Sequence, residues 1–139
     1  MYLVFYKEKP MVQIQREYVA GACNISKEEG TLRLIAGWLG TGLTVAGILV
    51  FVALGVPALW RLTLFLPAYL AATGFLQAGM HFCANYGLRG VFNVGNEVGL
   101  TRGVEQTEFA KKDRVKALQI LGLSALIAAV VAVVGYLLP

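Results

Sequence analysis

Charge is scarce in this chain: only 14 % of its 139 residues are Asp, Glu, Lys or Arg. Such a composition does not suit a soluble domain of this size, which normally carries about 25 %. There is one histidine and there are two cysteines, Cys23 and Cys83, too few for a disulfide scaffold. No acidic residue lies within the long apolar runs, which argues against a proton pump or cation transporter of the usual kind. The glycines of GLRGVFNVGNEVG do not spell a phosphate-binding loop. No pair of carboxylates and no nucleophile–base spacing points to catalysis. The first thirty residues have no apolar core behind a basic start, so they do not read as a signal peptide.

What is present is apolar. Hydrophobic residues make up 58 % of the chain, and its mean hydropathy is +0.67. Three runs are long enough to cross a bilayer, near 35–54, 62–86 and 117–138. The predicted fold is an all-α membrane protein of three transmembrane helices, with a short N-terminal β-hairpin.

Residues 1–22 read as that hairpin: MYLVFY is β-branched and aromatic, KEKP turns, and MVQIQ alternates. A tail that orders only against a partner is the alternative. Residues 23–90 form a helical hairpin. Ser26-Lys27-Glu28-Glu29 is a capping box that opens the first span. Val56 and Pro57 end that span, and Trp60 with Arg61 marks an interface. Residues 91–116 read as a glycine-rich loop that leads into a charged amphipathic segment, and 117–139 as the third span.

Eleven of the twelve Lys and Arg residues flank the spans on one side, with Arg61 alone on the other. The positive-inside rule then predicts a multi-pass protein of a bacterial inner (cytoplasmic) membrane, N-terminus in the cytoplasm and C-terminus outside. The net charge of +4 is accounted for by these flanks, so nucleic acid is not an expected partner.

Three sets of residues are candidates for function. Thr73, Gln77, His81, Asn85 and Arg89 recur every four residues and would form one polar stripe along the second helix. The stripe is read as a seam against neighbouring helices, or as a ligand or headgroup path. Cys23, His81 and Cys83 would lie near the cytoplasmic face, where they suit a thiol or transition-metal site. Against that stand small buried thiols and a hydrogen-bonded histidine, with no cofactor at all. Ala36, Gly40, Ser124, Ala128 and Ala132 give the first and third helices small-residue faces for close helix packing.

Two stretches carry a family resemblance. Asn24-Ile25-Ser26-Lys27-Glu28-Glu29-Gly30-Thr31-Leu32-Arg33 with Gly37, and Phe82-Cys83-Ala84-Asn85-Tyr86 with Gly90, resemble the two motifs of the YgaP-like inner-membrane domain. Ala84 stands where that family usually has proline, and Gly30 where a basic residue is usual. The N-terminal segment, glycine loop and third span have no counterpart in its two-helix core. The resemblance implies a helical hairpin that tends to associate, with Cys83 at its cytoplasmic end. Members often carry a rhodanese domain; none is present here, so sulfur transfer is not implied. From sequence, the expected role is a non-catalytic assembling or accessory subunit, in a homo-oligomer or a larger membrane complex within the lipid bilayer. The alternative is a membrane thiol or metal protein built on Cys23, His81 and Cys83.

Overall fold

The computed structural model describes residues 17–139. The predicted hairpin falls almost wholly outside them. Of that segment, 17–22 forms a coil and turn closed by a bridge between Val19 and Cys23.

The fold is mainly helical, and three of its helices are long and apolar enough to cross a membrane, consistent with a multi-pass membrane protein. The first, α1, runs Lys27–Ala53. Its capping box is half realised. Ser26 Oγ accepts the Glu29 amide at 3.2 Å, but the Glu29 carboxylate does not return to the cap; it is bonded elsewhere.

The second span is assembled from pieces: α2 (Ala58–Arg61), a 3-10 turn (Leu62–Leu64) and α3 (Phe65–Met80). Pro67 lies in the first turn of α3, where its missing N–H costs least. Its ring crowds the carbonyl four residues back, at Thr63, where the backbone has tightened to 3-10 geometry.

Here the expected continuous helix through Tyr86 is corrected. The chain leaves the helix at His81, whose φ of 54° is left-handed. It re-enters helix as α4 (Ala84–Arg89), which Gly90 ends with φ 67°. The segment read as a loop holds the described strands, β1 (Val91–Phe92) and β2 (Arg102–Gly103), paired antiparallel. The last helix, α5 (Thr107–Leu137), takes in both the charged segment and the third span without a break. At 31 residues it is about 46 Å long, against about 30 Å for a hydrocarbon core, so its charged start projects beyond the membrane.

Helix α3 is the middle of the bundle: α1 packs on it from one side and α5 from the other, and α1 and α5 scarcely meet. Small residues set the α1–α3 distance. A Cβ on Gly40 would strike the Ala71 backbone, and one on Gly74 would strike Gly37 N and lie 2.7 Å from Arg33 O. Ser124, Ala128 and Ala132 are buried on α5, and Ala36 is half-buried on α1. These small residues therefore face the chain's own helices. Between α1 and α5, above Ala68, Ala71 and Ala72, lies an apolar groove of about 320 Å³.

Candidate functional site

The polar chemistry gathers at one end of the bundle, where α1 begins, α3 ends and α5 begins. Three buried side chains, Asn24, Glu29 and Asp113, and half-buried Arg33 tie these segments into a cap.

Asn24 is wholly buried and works as a backbone substitute. Its amide group donates to Cys83 O at 3.1 Å and its carbonyl accepts the Cys83 N–H at 2.6 Å. Its own N–H donates to His81 O, and its C=O accepts from Asn93 N. The stretch before α1 is thus clamped between the α3–α4 turn and β1, groups that a buried chain must satisfy somehow.

Glu29 sits one turn into α1, 3 % exposed. Its Oε1 accepts three hydrogen bonds: Tyr86 Oη at 2.7 Å, Asn93 Nδ2 at 3.0 Å and the Gly99 N–H at 2.9 Å. Its Oε2 is buried and has none. One turn further along the helix, Arg33 donates from NH2 to Cys83 Sγ at 3.2 Å, while its Nε is buried without a partner. Burial, then the hydrogen bond to Glu29 and that carboxylate's charge, pushes the Tyr86 hydroxyl up to about 12, so it stays protonated and donates.

Asp113, on α5, is fully buried as well. It accepts the Tyr18 hydroxyl at 2.8 Å and the Gly21 N–H at 2.7 Å. Burial, followed by the bond to Asp113, raises the Tyr18 hydroxyl far above its ordinary range. Tyr18 also stacks on Phe92, with ring centroids 4.3 Å apart. Gly87 lets α4 lie on α5: a Cβ there would come within 2.7 Å of Asp113 O.

The break at His81 disperses the residues expected to form one stripe. Thr73 is buried, its hydroxyl bonded back to Tyr69 O and Leu70 O within α3. Gln77 Oε1 accepts the Ala84 N–H at 3.0 Å and so caps the start of α4. His81, Asn85 and Arg89 are exposed. Cys83 is buried against Arg33, whereas Cys23 is half-buried with its thiol 3.8 Å from Ile25 O. Both cysteines are free, and among the described residues no group of three or more His, Cys, Asp or Glu side chains is placed to hold a metal ion. Cys23, His81 and Cys83 are thus not brought together as a ligand set.

Sequence reasoning missed Glu29 as a hub, Arg33 as a thiol partner, and Asn24, Asn93 and Asp113 as buried anchors. One signal was available: Glu29 and Arg33 stand four apart on one helix face at the start of an otherwise uncharged span. Comparison with protein-family models, curated proteins and solved structures finds no match to the chain.

Proposed function

We propose that this is a non-catalytic assembling or accessory subunit of a bacterial inner membrane, with its N-terminus and polar cap in the cytoplasm and its C-terminus outside. The observation that carries this reading is where the reactive groups are. Glu29, Asp113 and Cys83 are buried and engaged with the chain's own cap, while the lateral surface of α1 and α5 along the spans is dominated by exposed apolar side chains. Only 17 % of the apolar window of α1 is buried inside the chain. A helix so little covered offers a broad face to lipid and to other membrane helices, whether of a second copy or of a larger complex. Orientation rests on the basic residues at the capped end. The resemblance to the YgaP-like domain supports the same reading: its two motifs meet through Asn24 with Cys83 and Arg33 with Cys83, pairs 59 and 50 positions apart.

Two measurements test it. A reporter fused after Pro139 should be active outside and one inserted at 95–102 inside; the reverse would overturn the orientation. Cross-linking in native membranes, then mass measurement in mild detergent, should show a complex. A strict monomer in several detergents and in lipid discs, with no co-purifying partner, would sink the assembling role.

A second reading, a membrane thiol protein, is favoured by one contact: the Arg33 guanidinium donating to Cys83 Sγ. That contact places the sulfur beside a cationic donor at the end of the bundle. If this reading holds, Cys83 is modified by a maleimide in the folded protein and Arg33→Leu slows that reaction. Labelling of Cys83 only after denaturation would remove it.

A further inference from the structure

On the outside of the cap, α5 presents Lys111, Lys112, Val115, Lys116 and Gln119 along one face. The turn at Ala20 and Gly21 stands against that face, held there by the bond from Gly21 N–H to Asp113 and by Tyr18. Together they form a cleft of about 490 Å³. Gly21 has φ 72°, and a Cβ on it would meet Lys112 Cβ at 3.5 Å, so the turn packs closely on the helix. The Lys112 ammonium lies 5.9 Å above the Phe109 ring. Among the described residues none of the three ammonium groups is in an ion pair. One acid, Glu108, also lines the cleft.

The position of this cleft matters as much as its charge. Lys116 immediately precedes Ala117, where the uncharged span begins. Gln119 lies one turn inside it, and the surface below continues with exposed Leu118 and Leu126. Cations above and an apolar wall below, on one helix at the membrane border, match a ligand with an anionic head and hydrocarbon tails. A free phosphate would use only the upper half.

We propose that this cleft is a binding site for the headgroup of an anionic phospholipid, with Lys111 and Lys116 holding the phosphate and the acyl chains lying along α5. The proposal is independent of the protein's partners and of the Glu29 cluster. Basic pockets at the membrane border bind such headgroups, and each lysine near an anionic surface contributes about fivefold in affinity.

The experiment uses the full chain in lipid discs of mixed phosphatidylglycerol and phosphatidylcholine, with native mass spectrometry of the lipids retained. The wild type should retain phosphatidylglycerol in preference. Lys111→Gln with Lys116→Gln should lower that preference by about thirtyfold. Glu108→Gln should raise it, by removing a like charge from the cleft. Lys27→Gln with Arg89→Gln, which removes two cations outside the cleft, should leave it unchanged. Equal retention of both lipids by the wild type would overturn the site. So would wild-type retention by the Lys111/Lys116 variant, or an equal loss in the Lys27/Arg89 control, which would reduce the effect to net charge.

Discussion

The two ends of the bundle solve one problem in opposite ways. Where helices end near a membrane border, backbone groups lose their partners and need others. At the capped end, Asn24, Glu29, Arg33 and Asp113 draw in donors and acceptors from five segments of chain. At the other end one side chain, Arg61, ties separate segments together. Arg61 is 7 % exposed and donates from Nε to Val56 O at 3.1 Å and from NH1 to Leu138 O at 2.7 Å. Its guanidinium thereby joins the α1–α2 turn to the C-terminus of α5, where a cation also suits the helix dipole. The basic residue read as an interface mark also acts as a clamp. A polar network of many members resists the loss of distant contacts but is vulnerable at its hub. A clamp of one residue is weaker overall and fails in one step.

The largest effect should come from the hub. Glu29→Ala removes the acceptor shared by Tyr86, Asn93 and Gly99, and hydrogen bonds to a charged group are worth about 1.5–3 kcal/mol each. Thermal stability should fall by several kcal/mol, and limited proteolysis should cut within 93–104 well before the spans are lost. If Glu29→Ala melts like the wild type, the cap is not a cooperative unit.

Arg61→Met at the opposite end should have a smaller effect, about 1–3 kcal/mol, because it leaves the Leu138 and Val56 carbonyls to find water. Arg61→Lys should recover only part of it, since one ammonium cannot reproduce the fork. An Arg61 effect exceeding that of Glu29 would reverse the comparison.

Alkaline pH should separate the ends without mutation. Tyr86 titrates higher folded than unfolded, so its contribution is complete below about pH 10 and is lost as the pH rises through about 12. Tyr18 acts in the same direction. The melting temperature should therefore drop across that window, and Tyr86→Phe should flatten the drop. An unchanged slope in Tyr86→Phe would assign the loss to other groups.

The smallest effect should be a gain. His81 holds a left-handed conformation that costs an ordinary residue about 1–2 kcal/mol, so His81→Gly should raise stability slightly, offset by the greater freedom of glycine unfolded. His81→Val should lower it. A loss in His81→Gly, seen as a lower melting temperature, would show that the imidazole has bonds that outweigh its strain.

The helix break at His81 also marks where the sequence stopped being legible. The three spans follow from run length and hydropathy, and Ser26 as a cap follows from its local pattern. A left-handed helix end is usually written with glycine, and here the glycine comes two residues early, at Gly79, in a normal helical turn. With polar residues continuing at intervals of four, the pattern ran on while the backbone did not. Glu29 was misread for a different reason. The capping-box pattern is local, whereas its carboxylate partners lie 57, 64 and 70 residues away. Small residues at Gly40 and Gly74 announce close approach to some helix; only the packed chain shows that the helix is its own.

Those long separations have a consequence for how the protein comes into being. Asn24 finds Cys83 only after 59 further residues, and Tyr18 finds Asp113 only after 95. During synthesis the first two spans can pair as soon as α3 is made, through glycines and without any polar group. The carboxylate of Glu29, however, has no complete set of donors until Gly99 has emerged, and Tyr18 none until α5 has begun. Through that interval these groups remain hydrated, and the nascent hairpin is a membrane protein with an open end. Closure of the cap therefore waits for the start of α5, and the Arg61 clamp, whose acceptor is Leu138 O, waits for its end.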